Sequence, residues 1–320
     1  MLSSTPRTNL LGAGYATLAA LCFSLNDVGI KFLSDSYALH QIVLIRTLVG
    51  LATLAIVIAP FAGGLTLIRT RCVGWHLLRG LCIVFANSFL FLGLASLPIA
   101  DAIAIYFIAP LIVTLLSVLF LRERAGPRRW TLILLGFAGV LFIVRPGSST
   151  FQVAALFPMI AATLYAAVHV IARRIGGTES AATMTFWILM SFVAASSTIG
   201  LILGDGRLAG NVHPAFEFLV RAWAPIQRAD LWIFVMLGTS GVIGGFLISQ
   251  AYRIAQASFA APFEYISMPL AVVWGVTVFG TFPDISAWIG IALIVGTGLA
   301  LIWFESRKRS GADQTAEVFR

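Results

Sequence analysis

Ten stretches of 17 to 25 mostly apolar residues follow one another along this 320-residue chain, separated by short polar breaks. They cover 10–33, 39–60, 75–96, 98–121, 129–145, 152–173, 180–204, 229–252, 256–280 and 286–304. This succession limits the possible folds more than any other feature. A bilayer core about 30 Å thick takes about 20 apolar residues of helix per crossing. Hydrophobic residues make up 59% of the chain and charged residues 11%, against roughly half and a quarter in a soluble domain. The expected fold is an all-α polytopic membrane protein with ten transmembrane helices.

The formal net charge is +8, but the basic residues are spread through short loops rather than gathered on one face. They are topology signals, and no nucleic-acid partner is expected. With the N-terminus inside, 14 of the 21 Lys and Arg fall on the cytoplasmic side and four (Arg145, Arg207, Arg221, Arg228) on the other. Lys31, Arg46 and Arg79 lie within spans. The asymmetry places both termini in the cytoplasm. The one long external loop, 205–228, contains FEFLVRAW, suited to a short interfacial helix with Trp223 at headgroup level. Cys22, Cys72 and Cys82 are too few for a disulfide framework.

The chain also echoes itself. Tyr106–Leu111 reads YFIAPL and Tyr265–Leu270 reads YISMPL, each tyrosine four residues before a proline. In span one Ala19-Ala20, Phe23, Asp27 and Lys31 match Ala161-Ala162, Tyr165, His169 and Arg173 of span six at one offset. Five spans per half is an odd number, so the two halves enter the membrane from opposite sides. They form inverted repeats, a plan that many secondary transporters share.

The most specific stretches are GLASLPIADAIAIYFIAPLIVTLLSVLFLRERAGPRRW over 93–130 and GFAGVLFIVRPG over 136–147. With their Ala109-Pro110-Leu111 core, the Leu-x-Glu ending at Glu123 and the terminal Arg-Pro-Gly, they resemble the drug/metabolite transporter superfamily in its ten-span EamA-type branch. The resemblance covers about 10–304 as two five-helix units, 10–146 and 152–304, with 305–320 a polar cytoplasmic tail. The second half departs from the pattern, reading GTFPD over 280–284 where the first half carries Glu123.

An ionisable or polar residue inside a span is a candidate for function, because hydrocarbon penalises it unless it pairs or meets water. Glu264 is the leading candidate, near mid-depth beside Tyr265, for a cationic group or a coupling proton. Asp27 and Arg46 stand at similar depth; they either wall a substrate cavity or form a structural ion pair, with Lys31 reaching outward. His169 mirrors Asp27 and could bond substrate or carry protons. Tyr106, Tyr165, Asn26, Asn87 and Trp187 complete the set, each with packing or interhelical bonding as the plainer role. Pro110 and Pro269 are expected to kink their helices. Arg79 and Asp101 read as interface residues near span ends.

No His-Glu-x-x-His, Gly-x-Ser-x-Gly or Walker-type loop occurs, and four scattered histidines do not suggest a metal site. No catalytic residue, metal or cofactor is expected. The resemblance implies a secondary carrier in the cell inner membrane that moves an amino acid, vitamin, nucleoside or related metabolite by alternating access between the repeats, as an exporter or a facilitative or proton-coupled carrier. An uptake carrier of the same fold, a membrane-embedded enzyme and a channel are the alternatives. The expected partners are a small-molecule substrate and the lipid bilayer, with the chain a monomer or homodimer.

Overall fold

Lipid supplies no hydrogen-bond partners, so an apolar run persists there only by pairing its own backbone groups. The computed structural model describes residues 6–62, 64–121, 127–144, 153–210, 212, 214–255, 261–297, 299–300 and 303, and among these it is helical, without strands. Six helical stretches are long and apolar enough to cross a membrane: Leu10–Leu33, Leu39–Phe61, Val73–Ser96, Val153–Ala172, Ala181–Leu203 and Arg228–Ile254. Four shorter apolar helices, Ile99–Val113, Trp130–Ile143, Ser267–Phe279 and Ile285–Thr297, fall on the fourth, fifth, ninth and tenth apolar runs. Large apolar side chains such as Leu18, Leu48, Leu81 and Leu201 point outward along these helices, as a lipid-facing surface requires. The chain is a multi-pass membrane protein. Glu123, the Arg145-Pro146-Gly147 ending, residues 256–260 and the tail over 305–320 lie outside the described residues.

The helices are α1 (Pro6–Leu33), α2 (Leu39–Thr53), α3 (Val73–Ser96), α4 (Ile99–Tyr106), α5 (Ala109–Leu121), α6 (Pro127–Val144), α7 (Leu156–Ile175), α8 (Ala181–Leu203), α9 (Pro214–Val220), α10 (Leu231–Ile254), α11 (Ser267–Phe279) and α12 (Ile285–Thr297). Their ends follow local chemistry. Pro98 drives Leu97 into extended backbone (φ −121°, ψ 160°) and so stops α3. The Ser180 hydroxyl accepts the Thr183 backbone N–H at 3.0 Å and caps α8. Gly280 closes α11 with φ +63°, a left-handed conformation that glycine adopts without a Cβ clash.

The two prolines do more than kink their helices. A proline has no N–H for the carbonyl four residues earlier, and its ring crowds that carbonyl. For Pro110 the deprived residue is Tyr106, where α4 ends. Phe107 and Ile108 form a turn, with Ile108 N–H bonded to Ile105 O at 3.2 Å, before α5 begins. For Pro269 the deprived residue is Tyr265, and Ala261–Ile266 runs as a 3₁₀ helix up to α11. The expected continuous helices over 98–121 and 256–280 are therefore each interrupted just before the proline.

Packing pairs the helices across the chain. α1 packs most extensively on α10, and α7 on α3; α2 lies against α10 and α8, α3 against α8, and α4 against α11. Between α6 and α12 the backbones nearly touch, since a Cβ on Gly139 would stand 2.9 Å from the Gly290 carbonyl oxygen. Small residues allow such approach where lipid gives no hydrophobic drive for helix association. Lys31 reaches the C-terminal end of α3. Its Nζ donates to the carbonyls of Leu94 (2.6 Å) and Leu97 (2.7 Å), which α3 leaves unpaired at its C-terminus.

Residues 214–230 cross back over the α1–α2 turn and are laced to it. The Gln41 side chain donates to Ala224 O (2.6 Å) and accepts from Ala224 N (3.0 Å). Tyr37 donates to Asp230 (2.6 Å) and accepts from Gln227 N (3.0 Å), while Arg221 donates to Ser34 O (2.6 Å). α9 is the short helix expected of FEFLVRAW, although it ends at Val220 and Trp223 packs beside the His40 ring (6.1 Å).

A Gly139→Val substitution should force α6 from α12 at a cost of about 1–3 kcal/mol, lowering the melting temperature of the purified protein in detergent. Gly14→Ala, whose Cβ would meet nothing within 4 Å, should melt at or above the wild-type temperature.

Candidate functional site

The interruptions and the close helix pairs leave a cavity of ≈ 140 Å³ in the middle of the molecule, room for several waters. Eight of the ten residues selected from the sequence for substrate contact line it: Asn26, Asp27, Arg46 and Asn87, with Tyr106, Tyr165, His169 and Glu264. The backbone of Tyr265 lies on the 3₁₀ helix and its side chain is outside the described set, as is that of Pro110.

Glu264 organises one end. It sits on the 3₁₀ helix before α11 and is buried to 7% exposure. Its two oxygens accept from separate phenols: Tyr252 donates to Oε1, and Tyr165 to Oε2 at 3.2 Å. The His169 ring lies between the same two phenols, with centroids 4.2 Å from Tyr165 and 4.4 Å from Tyr252. Tyr106 extends the aromatic wall at 5.3 Å from Tyr165. The result is a carboxylate inside a half-ring of aromatic faces, which suits a cation or a flat conjugated ring.

Arg46 organises the other end. Its guanidinium lies between the rings of Phe91 (5.1 Å) and Phe192 (5.2 Å), and Nη1 donates to Asn26 Oδ1 at 2.9 Å. Asn26 in turn donates to Leu237 O (2.8 Å) and Ser240 Oγ (3.0 Å) on α10. Asn26, not Asp27, is therefore the hydrogen-bond partner of Arg46. The sequence alternative of an Asp27–Arg46 ion pair gives way to an aromatic clamp with an amide bridge. Asp27 remains an electrostatic neighbour of Arg46, without a hydrogen bond among the described residues. The clamp depends on Gly238, where a Cβ would stand 2.5 Å from the Arg46 carbonyl oxygen.

Two expectations change. Arg79 is no interface residue; it is 3% exposed and lines the cavity. Trp187 is outside the lining and stacks on His76 instead (5.7 Å, 21° between planes). His76 Nε2 stands 3.4 Å from Glu179, which also accepts from Thr70 Oγ1 at 2.8 Å. This cluster ties the start of α3 to the α7–α8 turn. Tyr252 escaped the sequence reading, because a tyrosine in the last turn of a span beside Arg253 reads as a headgroup residue.

Tyr252→Phe should strip Glu264 of a donor, costing about 1–3 kcal/mol and lowering the melting temperature. Tyr106, whose hydroxyl makes no hydrogen bond among the described residues, should tolerate the same change with its melting temperature intact.

Residues 10–145 match the EamA-like transporter family. Relatives match along almost the whole length. A riboflavin transporter of Rhizobium johnstonii is 29% identical over 309 residues, covering 96% of both chains. An S-adenosylmethionine uptake transporter of Rickettsia bellii is 26% identical over 306 residues, covering 95% of this chain and 97% of that one. A solved crystal structure superposes with a TM-score of 0.60 at 19% identity, over 95% of this chain and 99% of the other, and so shares the fold. Residues 10–145 thus carry an EamA-like transporter domain, and the chain is similar along almost its whole length to transporters of small metabolites.

Proposed function

We propose that this chain is a secondary carrier for a small polar metabolite that bears a flat conjugated ring, a cationic centre or both. The substrate binds with that part against Glu264 and the tyrosines, and access alternates between the two membrane faces. The observation that carries the proposal is the Glu264 carboxylate held by Tyr165 and Tyr252 within a central cavity that Tyr106 and Arg46 also line. Riboflavin has a large flat ring system and S-adenosylmethionine a sulfonium centre beside an adenine ring, and transporters of both are relatives of this chain.

In this reading all ten apolar runs cross the membrane, as inverted units 10–146 and 152–304 with both termini in the cytoplasm of a cell whose inner membrane holds the protein. The packing pairs support it. Exchanging the first helix of one unit for the first of the other turns the α1–α10 pair into the α7–α3 pair. It also turns α2–α10 into α8–α3 and returns α2–α8 and α4–α11 to themselves. A duplicated chain that folds around an axis in the membrane plane has this property. Both interruptions then lie at the interface between the units, where broken backbone can face the cavity rather than lipid.

Purified protein in proteoliposomes should show saturable counterflow of labelled riboflavin or S-adenosylmethionine. Glu264→Gln should reduce that exchange by about 10- to 100-fold while the variant still folds, as removal of a charged hydrogen bond to substrate predicts. Non-saturating conductance without counterflow would overturn the carrier reading.

A further inference from the structure

We infer that Arg79 is the anion subsite of the cavity and receives a carboxylate or phosphate oxyanion of the substrate. The inference rests on the carrier reading above and assigns the opposite end of the same ligand.

The two buried arginines of the cavity are held differently. Arg46 lies over two aromatic rings, at 5.1 and 5.2 Å, and has a 2.9 Å hydrogen bond to Asn26 and Asp27 as an electrostatic neighbour. Arg79 has two long bonds, Nη1 to Met184 O at 3.2 Å and Nη2 to Ser249 Oγ at 3.5 Å. The Nε of each arginine is buried without a hydrogen-bond partner among the described residues. The electrostatic neighbours of Arg79 are Tyr165, His169 and His76. Among the described residues no carboxylate lies within ion-pair distance of it.

A cation buried without a counter-charge is costly, and within a membrane protein it is retained where it serves a ligand or a path. A guanidinium is a planar fork of N–H donors that an oxyanion can fill through two parallel bonds. Arg79 is 3% exposed overall yet lines the cavity, and Tyr165 and His169 connect its surroundings to the Glu264 end. The cavity therefore offers a carboxylate ringed by aromatics and an arginine short of an anion. That combination selects a dipolar ligand. It also places the anion contact at Arg79 rather than at Arg46, whose charge the protein already accommodates.

Arg79→Met tests this, since it keeps the length of the side chain and removes its charge. In detergent without ligand, the melting temperature should hold or rise, because an unpaired cation has been removed. A fall of about 5 °C or more would mark Arg79 as a structural anchor between α3, α8 and α10 and overturn the subsite. In proteoliposomes the probes are two pairs: S-adenosylmethionine with its decarboxylated form, and riboflavin 5′-phosphate with riboflavin. Wild type should favour the oxyanion-bearing member of the transported pair by about tenfold, and Arg79→Met should abolish the preference. The pair that responds tells carboxylate from phosphate. A preference that survives in Arg79→Met, or is absent in wild type, overturns the proposal. If neither scaffold moves, the substrate reading fails, and the melting result alone decides the role of Arg79.

Discussion

A proline in hydrocarbon deprives one carbonyl of its partner, and the site depends on where the two deprived carbonyls fall. At Tyr106 and Tyr265 the helix gives up its own bonds, and lipid cannot replace them. Such backbone has to face protein or a wet cavity. α4 meets this need by packing on α7 and α11, with Ile103, Ile105 and Ile108 buried around the interruption. The second interruption lifts Glu264 out of a regular helix and onto a 3₁₀ turn, where two phenols from other helices can reach it. The interruptions and the polar side chains therefore occur together, since each needs the other to remain in the membrane interior.

The charges in the cavity show how a membrane protein keeps ionic groups without simple pairing. Arg46 is clamped between two phenylalanines, which stabilise a desolvated cation by about 0.5–2 kcal/mol each, and its bridge through Asn26 fastens α1 and α2 to α10. Glu264 takes hydrogen bonds from phenols rather than an arginine. Neither arrangement is an ion pair, so the Glu264 carboxyl remains available to a ligand.

Much of this could be read from the sequence. The apolar runs are visible because a bilayer sets a minimum length, and the cavity residues stood out because charges inside such runs are rare. Depth along a helix was also legible, and Asp27, Arg46, Glu264 and His169 all line the one cavity. Partners were less legible. Lys31 ends on carbonyls of α3, which spacing along α1 cannot reveal. Arg79 stands only six residues beyond the start of α3, so position along its own helix suggested an interface, whereas α8 and α10 bury it. Tyr252 and Glu264 are joined across the α10–α11 connection, and Trp187 faces His76 rather than the cavity, since helix rotation depends on the neighbouring helices.

The lacing of 214–230 has an evolutionary consequence. At Ala224 and Leu219 the α1–α2 region grips only main-chain groups, through the side chains of Gln41 and His40; at Gln227 it grips a main-chain N–H through Tyr37. Gln227, which is exposed, can therefore change identity without loosening the grip, while Tyr37 and Gln41 cannot, and Leu219 and Ala224 also pack against the core. The crossing can drift at an exposed position such as Gln227, but not at Arg221 or Asp230, whose own side chains bond Ser34 and Tyr37.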